Sequence, residues 1–230
     1  MLAIEGLDGW IYMMLRAATV TVALVVVAFP VALALGALVC RWQLSASSGI
    51  ALLGRGYSIV LRGIPELLVI YLVFFGGSKA ASSVAALFGV SGGLELSSFA
   101  SGVAAVVVIG AAYIAESLRG AYQAVSRGQF EAATAFGMPF FVKLRRVTAP
   151  LVLASALPSL GNNFILVIKL TSLVSVTGLV EVMRQAQIGA GSTRQPFVFY
   201  AIAAFIFLLL IGCAQLMFAL AERYLKKDRR

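Results

Sequence analysis

Ser126-Arg127-Gly128-Gln129-Phe130-Glu131-Ala132-Ala133-Thr134-Ala135-Phe136-Gly137-Met138-Pro139 spells a short helix with its start and stop both written into it. Ser126 suits the N-cap, Gln129 three residues later completes a capping box, and Val125 and Phe130 are spaced for a hydrophobic staple. Gly137 suits the left-handed position after the last turn, and Pro139 stands where a helix cannot continue. Phe130, Ala133 and Phe136 share a face at three-residue spacing. So short and polar a helix spans nothing, yet it sits in a chain that is otherwise almost wholly apolar. It is therefore expected to dock on something. One candidate surface is the lipid headgroups. Against that, its apolar side is alanine-rich and its only basic residue is Arg127, and small residues suit close packing on a protein.

Working outward, the 230 residues are 61% hydrophobic, with a mean hydropathy of +1.01. About half of an ordinary soluble composition is apolar, so the excess points to bilayer as the solvent. Five spans are read from the charge-free intervals: Ala17 to Cys40, Tyr57 to Ser78 with Arg62 and Glu66 near its start, Leu96 to Ala115, Arg146 to Lys169, and Arg194 to Glu222. Each except the second offers at least 20 residues without charge, enough to cross a hydrocarbon core of about 30 Å. The fold expected is an all-α polytopic membrane protein, one domain over residues 1–230, with the capped helix inside a loop at about 116–146. The residues before the first apolar run include Glu5 and Asp8, and that run is too long for a signal h-region, so it reads as a span.

Lys and Arg sort unevenly between the two sides. Arg41, Arg55, Arg119, Arg127, Lys143, Arg145, Arg146, Arg223, Lys226, Lys227, Arg229 and Arg230 fall on one, and Arg16, Lys79, Lys169, Arg184 and Arg194 on the other, 12 against 5 with Arg62 left aside. The richer side is expected to be cytoplasmic, placing the N-terminus outside and the capped helix and C-terminus inside. The net charge of +9 is explained by that bias rather than by nucleic acid, for which there is no soluble basic face.

Histidine is absent, and the two cysteines, Cys40 and Cys213, lie at or in apolar runs. That removes most metal sites, the Ser/His and Cys/His nucleophiles and a disulfide framework, and an intramembrane enzyme with them. None of Lys79, Lys143, Lys169, Lys226 or Lys227 follows a glycine, so there is no phosphate-binding loop of the Gly-x-x-x-x-Gly-Lys type. No cofactor is expected in this chain, and any nucleotide must be bound by another.

Asn162, Asn163, Lys169, Thr171, Ser172, Ser175 and Thr177 interrupt an apolar background up to Glu181, and Gly178 permits a break. Polar groups at membrane depth face a bundle interior or a water-filled cavity, so this segment is a candidate wall of a translocation path. The plainer alternative is that Asn and Ser only tie helices together and Lys169 snorkels. Arg62 and Glu66, one turn apart, are spaced to pair, for gating or simply to neutralise each other. Pro30, Pro65 and Pro158 are candidate kinks.

Glu131-Ala132-Ala133, three residues, Gly137, nine residues, Val147 and then Ala149-Pro150 resemble the signature loop of the inner-membrane permeases of bacterial ABC importers, with Val147 and Ala149 where isoleucine and leucine are usual. Arg119-Gly120-Ala121, Gly128-Gln129-Phe130, Leu157-Pro158-Ser159-Leu160-Gly161-Asn162 and Thr171 to Gly178 are similar to the polar amino acid uptake branch. Arg62-Gly63-Ile64-Pro65-Glu66-Leu67-Leu68 is similar to permeases for histidine, lysine-arginine-ornithine and opines. The resemblance implies the type I (MetI-like) permease fold and a capped helix that seats in a cleft of a cytoplasmic ATPase. Gln129, Glu131, Ala132, Ala133, Phe136 and Gly137 would then form the ATPase-coupling set, with Glu131 fixing the helix by capping or contact. It also implies a second permease, identical or homologous, an ATPase dimer and a periplasmic solute-binding protein, moving a basic amino acid or an opine inward. Arg62, Glu66, Asn162, Asn163, Thr171, Ser172, Ser175 and Glu181 are the candidate path residues. A stand-alone secondary transporter or channel explains the spans but not the capped helix.

Overall fold

The computed structural model describes residues 7–87 and 97–227 of the chain, and within them every regular element is helical. These are α1 (Leu7–Gln43), α2 (Ser48–Gly63), α3 (Glu66–Leu87), α4 (Ser98–Ala124), α5 (Arg127–Ala135), α6 (Phe140–Lys143), α7 (Ala149–Val174), α8 (Val182–Thr193) and α9 (Pro196–Lys227). A π-helical turn, Leu144–Thr148, joins α6 to α7, making one continuous helical stretch from Phe140 to Thr177. Four helices are long and apolar enough to cross a membrane, and the bent pair α2–α3 brings the count to five if it is one span. Glu95, Leu96, Arg229 and Arg230 lie outside the described residues.

The directions of the helices follow from their packing. Trp10 meets Phe199 and Phe29 meets Phe218 edge to face, so α1 and α9 run parallel. Leu24 and Ala28 pack with Ala105 and Val106, and Ala32 and Val39 with Ile114 and Leu118, so α4 runs parallel to α1. Val174 lies against Gly102, whereas Val152 and Ala156 join the Ile114–Leu118 cluster, so α7 runs antiparallel. One end of the bundle therefore holds the C-terminal ends of α1, α4 and α9 with α5 and α6. The other holds α8, which the charge-free intervals did not reveal. Arg16, Lys169, Arg184 and Arg194 lie toward that far end, and Arg41, Arg119, Arg127, Lys143 and Arg223 toward the α5 end. The structure thus keeps the two basic groups apart.

Close approach of α1 and α4 depends on small residues. A methyl at Gly36 would meet Ile114 Cγ2 at 2.7 Å, and small residues at such seams let membrane helices pack by van der Waals contact. The α8–α9 hairpin uses the same device. Val182, Ala186 and Ala190 pack with Met14, Ala203 and fully buried Phe199, and a methyl at Gly189 would overlap the Phe199 ring. Gly189→Ala should therefore destabilise by about 1–3 kcal/mol, the usual cost of overpacking. Thermal unfolding in detergent checks this: Tm should fall by several degrees, and an unchanged Tm would mean the ring is not seated there.

The helices outrun the spans read from the sequence at both ends of the chain, α1 beginning at Leu7 and α9 ending at Lys227, and the second, third and fourth spans differ in ways that have a physical reason. The second span is not continuous. Ile64 is extended (φ −94°, ψ 139°) because a residue before proline avoids the helical region, and the axes on either side of Pro65 diverge by 109°. The third span passes Ala115 and runs to Ala124, since Glu116 is paired within the bundle and does not end the helix. The fourth continues past Lys169 to Val174, and the break falls at Gly178, which is left-handed at φ +85°.

Candidate functional site

The short helix α5 is present, and its exit is built as its sequence specifies. Gly137 has φ +67°; its N–H donates to Thr134 O at 2.9 Å and the Met138 N–H donates to Ala133 O at 3.2 Å. These are the paired bonds of a Schellman cap. The start differs. Ser126 holds the N-cap position but its hydroxyl makes no capping bond, and only the Gln129 N–H, donating to Ser126 O at 3.1 Å, closes the first turn. Val125, read as one half of the staple, packs against the α1–α4–α7 core. Phe130 stacks on Tyr122 of α4, with centroids 5.0 Å apart and planes 14° apart. That stack and buried Ala133 fix α5 to the end of the bundle.

Phe136 does not share the buried face with Phe130 and Ala133. It occupies the C-cap (φ −77°, ψ 9°), off the helical register, and is 82% exposed. Phe140 and Phe141, 57% and 80% exposed, follow it across the Gly137 turn. Gln129, Glu131, Ala132 and Ala135 are exposed as well. Glu131 has no ion-pair or hydrogen-bond partner among the described residues, so it does not cap α5 within this chain. The helix is held from behind by Lys143, whose Nζ donates to Thr134 Oγ1 at 2.6 Å. This braced helix and the turn that follows it thus present small residues and exposed aromatics on the outside of the chain.

Beside α2, α4 and α7 a polar cavity of about 450 Å³ opens to the outside, lined by Arg62, Tyr113, Glu116, Ser117, Gly120, Ser155, Ser159 and Asn163, among others. Arg62 and Glu66 do not pair, because Pro65 puts them on different helices. Arg62 lies 3.6 Å from Glu116 Oε2 and over the Tyr113 ring at 5.4 Å, while the Tyr113 hydroxyl donates to Glu66 Oε1 at 3.1 Å. Glu116 is held more tightly by Arg119, at 2.7 Å, and by Gln43 Nε2, at 2.9 Å. Asn163, nearly buried, donates to Ser117 Oγ at 2.9 Å. The cavity therefore offers one loosely held guanidinium, one shared carboxylate and a row of hydroxyl and amide groups.

Only part of the proposed polar wall reaches this cavity. Asn163 does. Asn162 faces a separate cavity of about 250 Å³ against Gln215 and Glu222. The Thr171 and Ser172 hydroxyls donate to Ile168 O and Lys169 O, both at 2.7 Å, and Ser175 is buried in the short 3-10 turn. Glu181 is fully buried at the start of α8, where its Oε1 accepts from the Arg184 N–H at 2.8 Å and Oε2 has no hydrogen-bond partner among the described residues. Burial pushes its carboxyl up to about 7, against the lowering by the Met183 and Arg184 N–H groups and the Thr21 hydroxyl. The sequence reading passed over Tyr113, Ser117, Ser155 and Ser159 as cavity residues. Their signal was spacing: Ser155, Ser159 and Asn163 fall every fourth residue on one face of α7.

Comparisons with known proteins agree with this architecture. The family model described as "Binding-protein-dependent transport system inner membrane component" matches residues 32–227. The octopine transport system permease protein OccQ of Rhizobium radiobacter is 46% identical over 217 residues, covering 94% of this chain and 92% of that one. A crystal structure of an amino acid ABC transporter with histidines aligns at TM-score 0.80 and 28% identity, over 97% of this chain and 99% of the other. The inward-facing MetNI methionine ABC transporter aligns at TM-score 0.73 and 16% identity, over 94% and 97%, a likeness of fold.

Proposed function

The chain belongs to the family of binding-protein-dependent transport system inner membrane components, as a multi-pass permease subunit of its amino acid and opine ABC transporter branch, and from that premise we propose how it works. α5 is the coupling helix, seated on a cytoplasmic ATPase that supplies the energy for import. The observation that carries this is α5 itself, capped, braced on Tyr122 and Lys143, and exposing Gln129, Glu131, Ala132 and Phe136 with nothing among the described residues to receive them. A braced helix transmits displacement to α4 and α7, the two helices that wall the polar cavity. The cavity is then a section of the translocation path, with Arg62, Asn163 and the serines of α7 facing cargo.

In this reading the α5 end is cytoplasmic, in keeping with its excess of basic residues, and the N-terminus lies outside. A second permease completes the path, a solute-binding protein delivers cargo from outside, and the cargo is a basic amino acid or an opine. Its charged ends suit a lining with both a guanidinium and a carboxylate. Charge reversal tests the coupling. Glu131→Lys should leave insertion intact but reduce the stimulation of ATP hydrolysis by cargo-loaded binding protein, by about tenfold if the exposed carboxylate makes one charge-assisted contact. Full stimulation in reconstituted vesicles would exclude Glu131 from the coupling surface.

A further inference from the structure

A second cavity, about 470 Å³, opens on the side of the bundle between α1, α4, α6 and the start of α7. Its lining is apolar for most of its depth, with buried Leu118 and Val152 as floor and exposed Ala37 and Leu153 as walls. Arg41, in the last turn of α1, and Lys143, in the last turn of α6, also line it. Both belong to the end of the bundle that carries α5. Neither has a carboxylate partner among the described residues, and the Lys143 hydrogen bond is to a neutral hydroxyl. Exposed Arg145 and Arg146 next door raise the positive potential further. An apolar slot with two cations at its membrane-surface end matches one class of molecule, a lipid with an apolar tail and an anionic head.

We propose that this groove is a binding site for an anionic glycerophospholipid, one acyl chain lying against Leu118, Val152 and Leu153 and the phosphate held by Arg41 and Lys143. A soluble anion would have no use for the apolar slot. A second copy of this chain would bring the same two cations to the contact. The site also touches the working end of the molecule. Lys143 bonds Thr134 of α5, so a headgroup at Lys143 stiffens the brace that holds α5, giving lipid composition a way to act on coupling.

Photocrosslinking in native membranes tests this. p-Benzoylphenylalanine replaces Ala37 in the groove and, as control, Leu209 on the outward face of α9, which is 53% exposed; the adducts are identified by mass. The Ala37 position should capture phosphatidylglycerol over phosphatidylethanolamine with about tenfold enrichment relative to Leu209, the effect expected of two cations near a headgroup. The double variant Arg41→Gln, Lys143→Gln should bring that ratio to the control value while the chain still inserts and folds, and Arg41→Gln alone, which leaves the Lys143–Thr134 bond in place, should lower it part of the way. The unsubstituted chain titrated with each lipid in detergent, followed by native mass spectrometry, should show the same preference. Equal headgroup ratios at both positions, enrichment that survives the double variant, or an adduct with a second copy or another protein would overturn the proposal.

Discussion

Gly137→Val is expected to strip the ATPase from this chain while leaving the chain in the membrane. At φ +67° a β-branched residue is a steric outlier, costing about 1–2 kcal/mol for the left-handed conformation alone. Escape from that conformation breaks the two Schellman bonds, to Thr134 O and Ala133 O, each worth about 1 kcal/mol net. The loss falls wholly on α5, since a Cβ at Gly137 meets no atom within 4 Å and the spans do not feel it. Co-purified ATPase and ATP-driven uptake should both drop, by about ten- to a hundredfold. Gly137→Asn, which tolerates the left-handed region, should restore much of both. Normal ATPase recovery with valine would mean that the α5 exit does not shape the docking surface.

Asn163→Leu should abolish most uptake without affecting assembly. The amide donates to Ser117 Oγ across the α4–α7 contact and borders the polar cavity. Leucine is close in size, so the packing of α7 changes little, but Ser117 loses its donor and the cavity wall turns apolar. Leaving a part-buried polar group unpaired costs about 1–3 kcal/mol, and cargo crossing that point would lose a hydrogen bond of its own. Uptake should fall about tenfold or more with unchanged ATPase co-purification. Ser172→Leu should be milder, because that hydroxyl is spent on Lys169 O within its own helix. Equal loss at both positions would mean that polarity in α7 serves only to tie helices together.

Much of the architecture is legible in the residues. Charge-free runs mark the long helices, and Gly137 and Pro139 mark where α5 stops, because both signals are local. What fails is whatever depends on a partner distant in sequence. Arg62 and Glu66 look paired at one-turn spacing until Pro65 sends their helices apart, and their partners prove to be Glu116 and Tyr113 of α4. Glu116 reads as the end of a span only because its two arginines and Gln43 are invisible to a window of hydropathy. The helix α8 is hidden for the same reason: its polar residues look like a loop until Val182 and Ala186 are seen against Met14 and Phe199. Thr171 and Ser172 mislead because a helix can satisfy their hydroxyls itself, so polarity in a span does not state which way it faces.

If α5 is the surface through which a separate motor drives these spans, it must touch that motor. A photoreactive residue replacing exposed Ala132 in the intact assembly reads that contact directly. An adduct joining this chain to the ATPase is expected, with a yield that changes when ATP is supplied. Adducts with lipid alone, alike with and without ATP, would contradict it.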